Sequence, residues 1–192
     1  MAATATVLIV PGMRDAVPQH WQTLLAASLA AQGVPVREVA PMGRENLNCK
    51  RSLDAIEAAA AAIDGPLVVV AHSGGSVMVA HWAKWTRRAV QGALLATPPD
   101  LSKPMPDPLL SFEALQAGGW LPVPQQRLPF PSILAASRND ALATYESAAA
   151  MAKDWGSTLV DLGEVGHLNP ASGFGEWPRA LDLIAQLQEG KS

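Results

Sequence analysis

The sequence predicts an α/β fold with one parallel, six-stranded sheet and helices on both of its faces. Six short apolar runs rich in β-branched residues recur along the chain, and segments with helical spacing of apolar residues separate most of them. Continuous apolar runs are typical of strands buried on both faces, as in parallel sheets. With 192 residues, 49% of them hydrophobic and 16% charged, the chain is expected to form one domain spanning residues 1–192.

The predicted elements follow one another in a regular order. The predicted strands are residues 6–10, 34–39, 67–71, 93–96, 133–136 and 158–162. The predicted helices are residues 18–33, 53–63, 76–86, 141–155 and 177–187. Pro18 suits the start of the first helix, whereas Gly33 and Gly156 suit the ends of the first and the fourth. We expect the strand order 2-1-3-4-5-6, in which the first and third strands are neighbours where the order reverses.

Residues 98–131 interrupt this alternation. Nine of the chain's 16 prolines lie there, and proline at that density excludes a long helix or a central strand. Large apolar residues in the same segment, including Phe112, Trp120 and Phe130, argue against disorder. We therefore expect an ordered proline-rich cap beside the carboxyl edge of the sheet, with one short helix near residues 111–117.

Charge and cysteine content exclude several classes of function. The formal net charge is −3 and no Lys/Arg cluster is present, so no nucleic-acid partner is expected. The first residues, MAATATVLIVPG, lack the basic start of a signal peptide, and their apolar run of about five residues is too short to span a membrane. We expect no membrane association and a cytoplasmic location. The single cysteine, Cys49, excludes an intramolecular disulfide and a multi-cysteine metal site.

The third predicted strand runs directly into the sequence Ala71-His72-Ser73-Gly74-Gly75. This sequence resembles the nucleophile elbow G-x-S-x-G, in which a tight turn between a strand and a helix exposes a serine hydroxyl. Small residues flank the serine there because the two backbones nearly touch, and alanine replaces the first glycine here. An ordinary strand-to-helix loop fits so short a pattern as well.

Two further residues support a catalytic serine. A serine hydroxyl needs a base to take its proton and an acid to orient that base, and in elbow-bearing folds the chain order is Ser, acid, His. Asp140 follows the fifth strand and His167 follows the sixth, so both are expected at the same sheet edge as Ser73. The sequence therefore predicts a triad of Ser73, Asp140 and His167. Asp100, which follows the fourth strand, is the alternative acid.

The remaining histidines are expected to have other roles. The side chain of His72 should point away from Ser73 at so tight a turn, and His81 should pack within a helix. His20 begins the first helix, where it either lines the pocket or occupies a helix-start or surface position.

Acyl transfer also requires N–H donors directed at the developing oxyanion. The backbone N–H of Gly74, the residue after the serine, is the first predicted donor. The loop after the first strand supplies the second, and we expect it to be the backbone N–H of Met13.

At this point the chain resembles the small α/β-hydrolases that include retinoblastoma-binding serine hydrolases and bacterial YdeN-type proteins. The segments that carry the resemblance are VLIVPG with HWQ, VAHSGG with AHWA, ATPPD, PFPSILAASRND and above all WGSTLVDLGEVGHLNPASGFGEWP. The resemblance implies a single-domain α/β-hydrolase core whose Ser, Asp and His triad falls on Ser73, Asp140 and His167.

Three positions depart from the family pattern. Leucine or serine often stands where this chain has Gly74, and proline often stands where it has Ala141. The retinoblastoma-binding motif Leu-x-Cys-x-Glu is absent, because the nearest stretch, residues 47–51, ends on arginine. No retinoblastoma-type partner is therefore expected.

These features together predict a serine hydrolase that cleaves carboxylic esters, or amides or thioesters, through a covalent acyl-enzyme. The reaction needs no cofactor and no metal. The cap is apolar, with only Lys103 and Arg127 as basic residues, so small and largely uncharged acyl substrates are expected. Two other functions use the same residues: acyl transfer to an alcohol or amine, and a hydrolase-like binding module whose triad is idle.

Overall fold

The computed structural model describes residues 5–14, 16–107 and 110–190. Its centre is a six-stranded parallel sheet with the order β2-β1-β3-β4-β5-β6, which confirms the predicted order. The strands are β1 (Thr6–Val10), β2 (Val36–Glu38), β3 (Leu67–His72), β4 (Gly92–Ala96), β5 (Ser132–Ala136) and β6 (Thr158–Asp161). The helices are α1 (Trp21–Ala31), α2 (Cys49–Ala61), α3 (Gly74–Trp82), α4 (Phe112–Ala117), α5 (Tyr145–Trp155) and α6 (Arg179–Gln188).

Two apolar layers bury the two faces of the sheet. Successive residues of β3 alternate between them: Val69 and Ala71 join the layer that contains α2, α3 and α5, while Val68 and Val70 join the layer that contains α1 and α6. All six residues of β3 are buried. The continuous apolar run of β3 thus reflects burial on both faces, as its sequence predicts.

Each of the five helices with predicted bounds begins at a different residue than its sequence predicts, and for three of them the structure shows a local reason. Helix α1 begins at Trp21, because the His20 side chain caps it, and not at Pro18. Helix α3 begins at Gly74, because the chain turns directly from β3 into the helix. Helix α5 begins after Thr144, whose hydroxyl caps it, and it ends as predicted at Gly156 with φ 67°.

The described residues of the proline-rich segment 98–131 form a cap that contains α4. Trp120 is fully buried and donates its indole N–H to the Leu47 carbonyl oxygen at 2.9 Å. The backbone N–H of Cys49 donates to the Gly118 carbonyl oxygen at 2.8 Å. These contacts fasten the cap to the beginning of α2. Within the described part of the chain, no helix is long and apolar enough to cross a membrane.

Candidate active site

Ser73 lies at the turn between β3 and α3. Its backbone has φ 54° and ψ −130°, in a region of positive φ that costs energy for a residue with a side chain. The Ser73 N–H donates to the Ala96 carbonyl oxygen at 2.9 Å, and the Ser73 carbonyl oxygen accepts from Ser76 N–H at 2.9 Å. The Ser73 hydroxyl does not cap α3, so it is available to another partner.

The loop after β1 presses against this turn. A Cβ atom placed on Gly75 would lie 2.4 Å from the Pro11 carbonyl oxygen, and one placed on Gly12 would lie 3.3 Å from the Ser73 Cβ. A Cβ atom on Gly74 would lie 3.3 Å from the Met13 nitrogen and 2.6 Å from its Cγ. The structure thus places the backbones of Met13 and Gly74, the two predicted oxyanion donors, side by side. It also shows why glycine at position 74 suits a methionine at position 13.

Ser73, His167 and Asp140 form a continuous hydrogen-bonded chain. The Ser73 hydroxyl lies 2.7 Å from His167 Nε2. His167 Nδ1 lies 2.8 Å and 3.0 Å from the two oxygens of the Asp140 carboxylate. Because Nδ1 faces a carboxylate, it carries the proton, and Nε2 is left to accept one from the serine. The His167 and Asp140 side chains are only 12% and 3% exposed, so the contact between these two side chains is shielded from water.

Asp100, the alternative acid, has different partners. One of its carboxylate oxygens accepts from the Ser147 hydroxyl at 2.8 Å, and the other accepts from the Ser102 hydroxyl at 2.5 Å. Asp100 therefore links the start of the cap to α5, and Asp140 is the carboxylate that contacts His167.

Short polar contacts hold the loops that carry His167 and Asp140. The His167 N–H donates to the Ser172 hydroxyl at 3.0 Å, and the Gly166 N–H donates to the Asn139 side-chain oxygen at 2.6 Å. Asn139 and Ser172 lie within the segments that carry the family resemblance, but the sequence alone assigns them no role. Their contacts fix where His167 lies relative to Asp140.

Two further histidines, both buried, lie near His167: the His72 ring packs against the His167 ring, and the His20 ring packs against His72. His72 donates its Nε2–H to the His167 carbonyl oxygen at 2.9 Å. His20 lines the cavity and also caps α1, where its Nδ1 accepts from Gln22 N–H at 3.2 Å. Burial and then the proximity of His167 lower the pKa of His20 to about 4 and that of His72 well below its usual value. Both imidazoles are therefore neutral at neutral pH.

A cavity of about 440 Å³ opens above Ser73. Its walls are mostly apolar and come from the loops after β1 and β5, the cap and the turn after His167; they include Val17, Leu101, Met105, Leu142 and Pro170. Arg14 and Arg44 stand at its rim, where Arg14 pairs with Asp107 of the cap and Arg44 donates to the Arg14 carbonyl oxygen at 2.9 Å. Neither arginine belongs to the cap, so the composition of the cap alone does not predict these two positive charges at the cavity. Among the residues that the structure describes, no cluster of His, Cys, Asp or Glu is arranged to hold a metal ion.

Comparison with known proteins agrees with this architecture. The model of the serine hydrolase family matches residues 7–186. Among solved structures, a YdeN-like hydrolase of Pectobacterium atrosepticum is 26% identical, with a TM-score of 0.80 and coverage of 97% of this chain and 91% of that chain. The YdeN protein of Bacillus subtilis is 20% identical, with a TM-score of 0.76 and coverage of 97% and 100%. No curated protein matches the sequence.

A more distant structure shares the fold alone. Est1E of Butyrivibrio proteoclasticus, with ferulic acid bound, is 16% identical, with a TM-score of 0.70 and coverage of 94% of this chain and 90% of that chain. The single-domain α/β-hydrolase core implied by the family resemblance is therefore confirmed.

Proposed function

Because this chain belongs to the serine hydrolase family, we propose that it is an esterase whose nucleophile is Ser73 and whose substrates carry small, largely uncharged acyl groups. One observation carries the proposal: the Ser73 hydroxyl lies 2.7 Å from His167 Nε2 at the floor of a mostly apolar cavity. A hydroxyl within hydrogen-bond reach of an oriented imidazole is the arrangement that activates a serine.

The first half of the reaction forms an acyl-enzyme. His167 Nε2 accepts the proton of Ser73 while the serine oxygen bonds to the substrate's carbonyl carbon. The carbonyl oxygen becomes an oxyanion, and the N–H groups of Gly74 and Met13 stabilise it. The tetrahedral intermediate then expels the alcohol, which takes the proton from His167. Asp140 keeps the His167 proton on Nδ1 and stabilises the imidazolium that forms.

The second half of the reaction releases the acid. Water donates a proton to His167 Nε2 and attacks the acyl carbon, and the oxyanion forms again at Gly74 and Met13. Ser73 leaves with the proton held by His167, which restores the free enzyme. An alcohol or amine in place of water would give acyl transfer through the same residues.

Cavity size and lining guide the choice of substrate. About 440 Å³ between apolar walls accommodates a short or medium acyl chain with its alcohol, whereas a long acyl chain would extend beyond it. Amides and thioesters follow the same steps. The complete hydrogen-bonded triad supports an enzyme over a binding module with an idle triad.

Hydrolysis of a series of p-nitrophenyl esters, from acetate to octanoate, tests the proposal. Ser73→Ala is the principal variant. Ser76→Ala is the matched control, because Ser76 is buried in the first turn of α3, directly after Ser73, and bonds to the Ala96 carbonyl. We expect turnover that favours short chains, falls by at least about 10³-fold in Ser73→Ala and stays within about threefold in Ser76→Ala. Absence of ester turnover by folded wild-type protein would favour the binding module.

A further inference from the structure

Gln22 is a buried polar residue that the reaction described above does not use. It lies in the first turn of α1 and is fully buried. Its side-chain amide nitrogen donates to the Val10 carbonyl oxygen at 3.0 Å and to the Val70 carbonyl oxygen at 3.2 Å. Within the described residues, its side-chain oxygen has no hydrogen-bond partner. A residue that leaves a buried oxygen unpaired in order to satisfy two carbonyls is a candidate for a specific role.

The two carbonyls belong to the strands that carry the reacting groups. Val10 is the last residue of β1, and the loop that leads to Met13 starts immediately after it. Val70 lies on β3, three residues before Ser73. Strands β1 and β3 are neighbours where the strand order reverses. The amide of Gln22 therefore joins two strands at the level from which the loop to Met13 and the turn at Ser73 depart.

That region leaves little room for movement. A Cβ atom on Gly75 would lie 2.8 Å from the Val10 carbonyl oxygen, which shows how closely this carbonyl approaches α3. The Met13 nitrogen lies a few residues further along the same loop, beside Gly74. A shift of the Val10 carbonyl therefore moves the Met13 N–H relative to Ser73. Donors stabilise an oxyanion only when they stand about 2.7–3.1 Å from its position, so a small displacement is enough to reduce catalysis.

The chemistry of the side chain fits this task. A glutamine nitrogen has two hydrogens and can satisfy two carbonyl oxygens at once. The reverse orientation of the amide would place its oxygen against both carbonyls, so the assignment of nitrogen and oxygen is unambiguous. An ionised glutamate has only acceptors, and methionine has no donor. We propose that Gln22 is a positioning residue that holds the end of β1 so that the Met13 N–H meets the oxyanion.

This inference rests on the proposed esterase function, and steady-state kinetics test it. Gln22→Met removes both donors at similar side-chain length. Gln32→Met is the matched control, because Gln32 is an exposed residue at the other end of α1 whose side chain donates to the Ser28 hydroxyl at 3.1 Å. We expect kcat of Gln22→Met to fall about 10- to 100-fold, with KM within about threefold of the wild-type value. The affinity for a trifluoromethyl ketone, which forms a tetrahedral adduct on serine, should fall by a similar factor. Gln32→Met should match the wild type in both measurements.

Gln22→Glu adds a pH-dependent test. A buried carboxyl has a raised pKa and becomes protonated as the pH falls, which restores one O–H donor toward the two carbonyls. The ratio of Gln22→Glu to wild-type kcat should therefore rise several-fold between pH 8 and pH 6, whereas the ratio for Gln22→Met should stay flat. If Gln22→Met does not fold, the ratio of Gln22→Glu to wild type still tests the proposal, because it is measured on a second variant.

The kcat values are expressed per active site, and the active sites are counted by titration. A lower kcat caused by a displaced Met13 N–H is thereby distinguished from a lower amount of folded protein. A kcat per active site within twofold of wild type in Gln22→Met, or a flat pH ratio in Gln22→Glu, would overturn the positioning role and leave the esterase function standing. Wild-type protein that neither hydrolyses esters nor binds the trifluoromethyl ketone would overturn both.

Discussion

The loop after β1 and the proline-rich cap both border the cavity above Ser73, but they are held in different ways. The loop is fixed by backbone: it lies against Gly75 with no space for a methyl group. The cap meets the start of α2 through the Gly118 backbone and the Trp120 indole, but its wall toward the cavity consists of side chains such as Leu101 and Met105. A geometry set by backbone contact tolerates little change, whereas a wall made of side chains can change its shape residue by residue. We therefore expect substitutions that displace the loop after β1 to affect kcat. Substitutions in the cap should affect KM and substrate choice.

The largest effect tests the two aspartates against each other. Asp140→Asn should reduce kcat on the order of 10⁴-fold, because an amide at this position favours the wrong tautomer of His167. Asp100→Asn should leave kcat within about threefold, since the Asp100 carboxylate bonds to serines of the cap and α5. Ester turnover of both variants is the measurement. A loss below about tenfold in Asp140→Asn would contradict the triad and bring Asp100 forward.

Two glycines, one in each region, test this difference, because neither position has space for a side chain. A Cβ atom on Gly75 would lie 2.4 Å from the Pro11 carbonyl oxygen, and one on Gly118 in the cap would lie 2.0 Å from the Leu47 carbonyl oxygen. Gly75→Ala should lower kcat on the order of 10²-fold, because it displaces the loop after β1 from Ser73. Gly118→Ala should lower the free energy of unfolding by about 1–3 kcal/mol and change KM, with kcat within about threefold.

Urea unfolding and ester kinetics on the same two preparations separate the outcomes. Equal losses of kcat in Gly75→Ala and Gly118→Ala would remove the distinction between the two regions.

A smaller effect concerns the pH dependence of the free energy of unfolding, and it arises from His20 at the start of α1. The pKa of His20 is lowered to about 4 by burial and then by the proximity of His167, so the folded protein keeps this imidazole neutral while the unfolded chain protonates it below about pH 6.5. Since the unfolded state then binds more protons, this contribution to stability is complete above pH 6.5 and is lost as the pH falls toward 4. The loss amounts to roughly 2 kcal/mol at pH 5.

His20→Asn isolates this contribution, because asparagine keeps a capping oxygen at the start of α1 but does not titrate. The free energy of unfolding, measured in urea at pH 7.5 and pH 5, should change less with pH in the variant than in the wild type. The same pH dependence in both proteins would show that His20 is not kept neutral by the fold.

The sequence predicts the sheet well because its strands are buried on both faces. Strand β1 has the predicted bounds, and β3 extends only one residue further, to His72. The prediction is poorest at the edge strand β2, which is only three residues long and has two exposed residues, so burial does not fix its bounds. The start of α3 is missed for another reason: Gly74 and Gly75 are poor helix formers, and only close approach of the loop after β1 explains them.

The triad residues are predictable from the sequence because parallel strands bring their carboxyl ends to one edge. The residues that hold the triad and its surroundings in place cannot be predicted in this way. Gln22 sits in an apolar helix, and nothing in its neighbourhood along the chain shows that two carbonyls, 12 and 48 positions away, meet at its amide. The pair of Arg14 and Asp107 is hidden in the same way, since its partners are 93 positions apart. Such contacts depend on how loops approach each other in space, which hydrophobic periodicity does not encode.

Labelling with a fluorophosphonate probe, followed by peptide mass mapping, tests most directly whether His167 activates Ser73. Wild-type protein should label stoichiometrically at Ser73 and not at the neighbouring Ser76. The label should be absent in Ser73→Ala and form far more slowly in His167→Ala. Folded wild-type protein that stays unlabelled, or a label that persists in Ser73→Ala, would contradict the activation of Ser73 by His167.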